Sequence, residues 1–163
     1  MRYKNILKKS IKFAGIGLHT GKLSEVTISP ADVGTGIRFV RKDMEAQVEI
    51  SADVAHVSTT NRGTTLISGQ TTVSTIEHLL SALSGCDVED ATIEINGPEV
   101  PILDGSAIQY INAFSQEGVL EKAESTKEIF IIDEPFAFKD EETGAEYEVF
   151  PSDDLELTVI LDF

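Results

Sequence analysis

Ser74-Thr75-Ile76-Glu77-His78-Leu79-Leu80-Ser81-Ala82-Leu83-Ser84-Gly85 is the stretch on which the fold turns. Ile76, Leu79, Leu80 and Leu83 recur at i, i+3, i+4 and i+7, the apolar stripe of a helix laid on a core. Ser74 followed by Glu77 has the form of a capping box, which predicts a helix over Thr75–Gly85 with Ser74 as N-cap. At about 100° per residue, the opposite face carries His78, Ser81, Ala82 and Gly85. That face is small and neutral, although the chain has a formal net charge of −15. Small residues permit close approach, so a second layer is expected over this helix.

A second helix is predicted over Ser106–Glu117, opened by Asp104-Gly105-Ser106 and ended by Gly118. Ala107, Ile108, Ile111 and Phe114 form its stripe, and Gln109, Asn112, Ser115 and Gln116 leave its other face uncharged. Short strands separated by turn signals surround both helices. They are expected at Ile6–Phe13, Glu25–Ser29, Gly36–Arg41, Ala46–Ser51, Thr64–Ser68, Thr71–Val73 and Ala91–Ile95. Asn96-Gly97-Pro98 stops the last of these. Gly118–Glu128 is polar and charged and reads as a linker. Ile129–Ile132, Ala145–Phe150 and Leu155–Phe163 then read as strands of a new unit. The last keeps strand character to the final residue, which makes the front part of a longer protein the expectation.

The chain has 163 residues, of which 41% are apolar, a globular composition with room for a real core. Residues 117–163 hold 3 basic and 15 acidic side chains, so most of the negative charge lies beyond residue 116. The acidic balance argues against a nucleic-acid partner. No apolar run reaches the roughly 18 residues of a membrane span. Arg2, Lys4, Lys8, Lys9 and Lys12 are not followed by the apolar segment of a secretory signal. A lone Cys86 cannot form a disulfide framework, so a cytoplasmic, reducing setting is expected.

The chain has three histidines, His19, His56 and His78, and none pairs with another at metal-ligand spacing; His56 follows a predicted strand and reads as structural or exposed. Glu77-His78 is the most suggestive pair. Glu77 is either a capping carboxylate or a general base beside a metal-bound water, and one carboxylate cannot serve both roles. His78 lies in the first helical turn, where the helix dipole disfavours imidazolium and keeps a lone pair available. His19 sits in the turn Gly15-Ile16-Gly17-Leu18-His19-Thr20-Gly21. Asp104 reads as a helix-capping or Asx-turn residue.

Gly15–Gly21, Ser74-Thr75-Ile76-Glu77-His78-Leu79 and Glu99-Val100-Pro101-Ile102-Leu103-Asp104-Gly105-Ser106-Ala107 occur in an order and spacing that resembles the amino-terminal half of the UDP-3-O-acyl-N-acetylglucosamine deacetylases. These are the zinc amidases of bacterial lipid A synthesis. The resemblance implies an α+β fold, a β-sheet backed by two helices in a two-layer sandwich over residues 1–117. A linker at 118–128 would lead to the beginning of a second similar domain at 129–163. It implies hydrolysis of the N-acetyl group of UDP-3-O-acyl-N-acetylglucosamine, with Glu77 as general base and His78 as one zinc ligand. The family's other two zinc ligands, in an H-x-x-x-D arrangement, have no counterpart here. By the same resemblance His19, Asp104, Asp162 and Phe163 are candidate substrate-binding residues. The isolated chain is expected to be inactive, to hold zinc incompletely and to self-associate through its uncovered helical layer. The alternative reading is a non-catalytic binding or assembly domain of the same fold.

Overall fold

Alternating apolar and polar side chains over residues 23–30, 37–41 and 91–95 place one face of each segment in a core and the other towards water. The computed structural model describes residues 3–126 and 129–161. It divides into two compact units, Met1–Lys127 and Glu128–Phe163. In chain order the first unit holds β1 (Tyr3–Leu7), β2 (Ile11–Ile16), β3 (Leu23–Pro30), β4 (Ile37–Arg41) and β5 (Val48–Ser51). A single 3-10 turn (Val54–His56) precedes β6 (Val57–Thr59), β7 (Thr65–Ser68) and β8 (Thr71–Ser74). Then come α1 (Glu77–Gly85), β9 (Ala91–Ile95), α2 (Ile108–Phe114) and β10 (Leu120–Thr126). The second unit contains the antiparallel hairpin β11 (Phe136–Lys139) and β12 (Glu146–Val149). The protein is therefore α+β.

The main sheet has the order β2-β3-β9-β4-β5. Only β4 and β9 are parallel, and α1 lies on the crossover between them. Register sets Val26 opposite Ile95, Ile28 opposite Ile93, and Ile93 opposite Phe39. These side chains are fully buried, together with Leu79, Ala82 and Leu83 of α1 and Tyr110 and Phe114 of α2, in one core. Burial of each large side chain contributes roughly 1.5–3 kcal/mol. β6, β7 and β8 form a separate three-stranded sheet, whose β7 also packs against β5.

Several expectations are corrected. The predicted strand Ile6–Phe13 breaks at Lys8-Lys9-Ser10, because β1 and β2 pair with different partners, β10 and β3. The predicted linker at 118–128 contains β10, which pairs antiparallel with β1. Val119 and Ala123 are buried there, and Glu121, Lys122 and Glu124 are exposed. Ile129–Ile132 forms no strand, and neither does the described part of Leu155–Phe163. A strand requires a hydrogen-bonding neighbour as well as propensity, and Leu155, Leu157, Val159 and Ile160 are more than 75% exposed. Ala82, expected on the back face of α1, is fully buried, whereas Ser81 and Gly85 are exposed.

Both helices are shorter than predicted. α1 begins at Glu77, and no side chain caps its first turn. The capping box is absent because Ser74 belongs to β8. Its N–H donates to Pro98 O at 2.8 Å, its carbonyl accepts from Val100 N–H at 3.0 Å, and its hydroxyl donates to Pro98 O at 3.1 Å. α2 begins at Ile108. Tyr110 of this helix donates its hydroxyl to Pro101 O at 2.8 Å, which anchors the 99–101 segment to the core. Burial raises the pKa of that phenol. No helix among the described residues is long and apolar enough to cross a membrane.

Candidate functional site

Three chain segments meet where β8 gives way to α1. Thr75, between the strand and the helix, has φ +57°, although it is β-branched and almost fully buried. A threonine in the left-handed region is strained, at a cost on the order of 1–3 kcal/mol, and persists only where its surroundings hold it there. Its hydroxyl donates to Glu99 Oε1 at 2.9 Å. Glu99 follows the Asn96-Gly97-Pro98 stop and is 1% exposed. Its two oxygens also accept from the backbone N–H groups of His19, at 2.9 Å, and Thr20, at 2.8 Å.

The turn that carries His19 closes directly on this carboxylate. Gly17 N–H donates to Lys22 O at 2.9 Å, and Gly21 N–H donates to Gly17 O at 3.0 Å. A β-carbon on Gly17 would overlap Glu99 Oε2 and would stand 2.5 Å from Thr20 Oγ1. Only glycine leaves room for the carboxylate. The turn presents His19 to solvent, and its Nε2–H donates to Arg62 O at 3.0 Å. Arg62 is itself left-handed, with φ +59°.

Glu77 opens α1 with Oε2 accepting from Thr64 N–H at 2.9 Å. This contact replaces the expected capping interaction. Its other oxygen lies beside Gly63. A methyl group placed on Gly63 would stand 3.4 Å from Glu77 Oε1, 3.5 Å from His19 Nε2 and 3.7 Å from Thr75 Oγ1. Two groups able to exchange protons and one hydroxyl thus surround a residue with no side chain of its own. An open cleft of about 500 Å³ lies here, lined by His19, Asn61, Arg62, Gly63, Ser74 and Thr75 among others.

The remaining candidates separate. His78 is half-buried in the first turn of α1. Asp104 is exposed, and its Oδ1 accepts from Ser106 N–H at 3.0 Å and Ser106 Oγ–H at 2.9 Å. The backbone and hydroxyl of Ser106 hold Asp104 below the usual carboxylate range. It closes an Asx turn ahead of α2. Asp162 and Phe163 lie outside the described residues. Among the described residues no group of three His, Cys, Asp or Glu side chains could hold a metal ion. A single imidazole does not make a zinc site, so the donor set among the described residues is incomplete.

Sequence pattern gives Glu99 and Thr75 no role and places Thr75 inside the helix. A lone glutamate beside the apolar run Val100-Pro101-Ile102-Leu103 was the available signal, because a carboxylate carried into a core needs donors. Desolvation pushes the pKa of Glu99 up, but hydrogen bonds from His19, Thr20 and Thr75 outweigh it and leave the group below its ordinary 4.5. A depressed folded-state pKa contributes stability that is fully present above the unfolded value and is lost as pH falls through the folded one. Thermal midpoints should therefore decline as pH drops below 4.5. The decline should be shallower in Glu99→Gln. Equal slopes in melting curves of the two proteins would contradict this linkage.

Comparison with known proteins identifies the family. The family described as LpxC, UDP-3-O-acyl N-acetylglycosamine deacetylase, matches residues 4–163. The UDP-3-O-acyl-N-acetylglucosamine deacetylase of Geobacter sp. (strain M21) is 43% identical over 131 residues, which span 80% of this chain and 43% of the relative. The enzyme of the same name from Methylococcus capsulatus is 38% identical over 157 residues, 96% of this chain and 51% of the relative. The bifunctional enzyme LpxC/FabZ of Chlorobaculum tepidum is 38% identical over 161 residues, 99% of this chain and 34% of the relative. The chain thus spans about half or less of the length of these curated relatives.

Proposed function

Because the chain belongs to the UDP-3-O-acyl N-acetylglycosamine deacetylase family, we propose that the protein carrying it hydrolyses the N-acetyl group of UDP-3-O-acyl-N-acetylglucosamine. The products are acetate and a free glucosamine amine, in the service of lipid A synthesis, and a cytoplasmic location goes with this reading. The observation that supports it best is the placement of Glu77. One carboxylate oxygen is held by Thr64 N–H, and the other lies beside Gly63, which His19 Nε2 also flanks.

A carboxylate fixed at one oxygen suits a general base, since its free oxygen can take a proton without the side chain reorienting. In this reading Glu77 Oε1 removes a proton from a water, whose oxygen attacks the amide carbonyl carbon. The C–N bond then breaks, and the departing amine takes a proton. His19, which lines the cleft beside Gly63, is assigned a contact with substrate. Asp104 is occupied by Ser106, so its part is to shape the loop before α2.

His78 is assigned as one metal donor. Zinc in an amidase makes a bound water acidic near neutral pH. The described residues of this chain do not complete a donor set, and no step is derived through the metal. In the protein carrying this chain, His78→Ala should lower acetate release by ~10²-fold or more and reduce bound zinc, with the melting temperature little changed. Metal analysis beside a substrate assay checks both. Full activity and unchanged zinc in a folded variant would remove the assignment.

A further inference from the structure

We propose that Glu99 is a positioning residue of this site. Its buried carboxylate joins the His19 turn to the strained Thr75 corner and so sets His19 against Glu77. This rests on the reading of Glu77 as general base and adds to it a residue that lies outside the reacting groups.

Two unfavourable features occur together here, and each is compensated by the other. A carboxylate at 1% exposure is costly to bury. Among the described residues no lysine, arginine or histidine side chain pairs with it, and its donors are the backbone N–H groups of His19 and Thr20 and the hydroxyls of Thr75 and Thr20. A β-branched residue at φ +57° is also costly, and glycine or asparagine would relieve it. Threonine at this position supplies the hydroxyl that reaches Glu99. A corner needed only for folding could be built more cheaply.

The three contacts bridge segments far apart in the chain. Glu99 lies 80 residues from His19, 79 from Thr20 and 24 from Thr75. It is flanked by backbone bonds from Ser74 N–H to Pro98 O and from Val100 N–H to Ser74 O, so its own backbone is fixed to the end of β8. The His19 turn has little other attachment at its tip, where Leu18, His19 and Thr20 are exposed. Without the carboxylate, the bond from His19 Nε2–H to Arg62 O would be the remaining hydrogen bond, among the described residues, from the tip of the turn to the Gly63 segment. Misplacement by about 1 Å of a group that orients the substrate can cost about 10²-fold in rate.

The test uses the intact protein carrying this chain, with Thr75→Val, Thr75→Ser and Glu99→Gln. Melting temperatures establish that each variant is folded. Thr75→Val should lose ~10-fold or more in kcat with KM within about two-fold, because His19 still reaches the substrate but orients it less well towards Glu77. Thr75→Ser keeps the hydroxyl and should restore kcat to within about three-fold of the parent. A role confined to folding would lower the melting temperature of Thr75→Val without separating the kcat values of the two variants. Glu99→Gln places an amide donor against backbone donors. It should speed hydrogen exchange at the His19 and Thr20 amides by ~10-fold or more, while Ile93 in the central strand stays protected.

Folded Thr75→Val and Glu99→Gln with parental kcat would overturn the proposal. So would a loss borne by KM alone, or unchanged exchange at His19 and Thr20. If Glu99→Gln does not fold, Glu99→Asp replaces it in the exchange measurement and Thr75→Val still decides the kinetics. An inactive parent, or activity indifferent to Glu77→Gln, removes the general-base reading instead, and amide exchange then decides whether the carboxylate holds the turn.

Discussion

Glu77→Gln in the protein that carries this chain should lower kcat for acetate release by ~10²–10⁴-fold and leave KM nearly unchanged. The substitution keeps size and shape. Its amide oxygen can still accept from Thr64 N–H, as Glu77 Oε2 does at 2.9 Å. The loss is therefore confined to proton transfer, because an amide cannot take a proton from water near neutral pH. Steady-state kinetics with the UDP-linked substrate, beside a melting curve, separate this from unfolding. A folded Glu77→Gln protein with kcat within about three-fold of the parent would show that proton abstraction lies elsewhere, contrary to the magnitude expected of a general base.

Phe39→Ala should cost ~3–5 kcal/mol of folding stability, a large share of what an ordinary domain possesses. Phe39 is fully buried in β4, between Ile50 on β5 and Ile93 on β9. Its neighbours lie in hydrogen-bonded strands and cannot collapse freely into the space left by the ring, so the cavity cost adds to the lost transfer energy. Urea unfolding of parent and variant measures the difference, with Val54→Ala, at an 89% exposed site, as the control expected to stay within about 0.5 kcal/mol. A loss below about 1 kcal/mol at Phe39 would mean that this face of the sheet is not packed as described.

Local pattern was enough for most elements of the first unit. Ala91–Ile95 is read correctly because alternation is a property of the strand itself, and Asn96-Gly97-Pro98 ends it sharply. The stripe Ile76, Leu79 and Leu83 does face the core. Ile6–Phe13 was misread because nothing local distinguishes one long strand from two short ones with different neighbours. Leu120–Thr126 was missed for a related reason: its pairing partner is β1, at the other end of the unit. Ser74 failed as a cap because its backbone was already taken by Pro98 and Val100. Capping motifs describe what a helix end can do when it is free, and here the preceding strand removed that freedom.

By itself the sequence determined the α+β class, the adjacency of Glu77 and His78, the glycine-flanked turn of His19 and the family to which these motifs belong. Each of these is carried by residues close together in the chain, where periodicity and spacing are informative. Tertiary structure alone decided that Glu77 accepts from Thr64 rather than capping its own helix, and that Gly63 brings Glu77, His19 and Thr75 around one point. It alone decided that Glu99 is buried against His19, Thr20 and Thr75. Those contacts join segments separated by loops and strands, so no window along the chain contains both partners. The left-handed threonine follows from them, since its hydroxyl bond to a distant carboxylate, together with the backbone bonds that fix Ser74, holds a conformation that its own side chain disfavours.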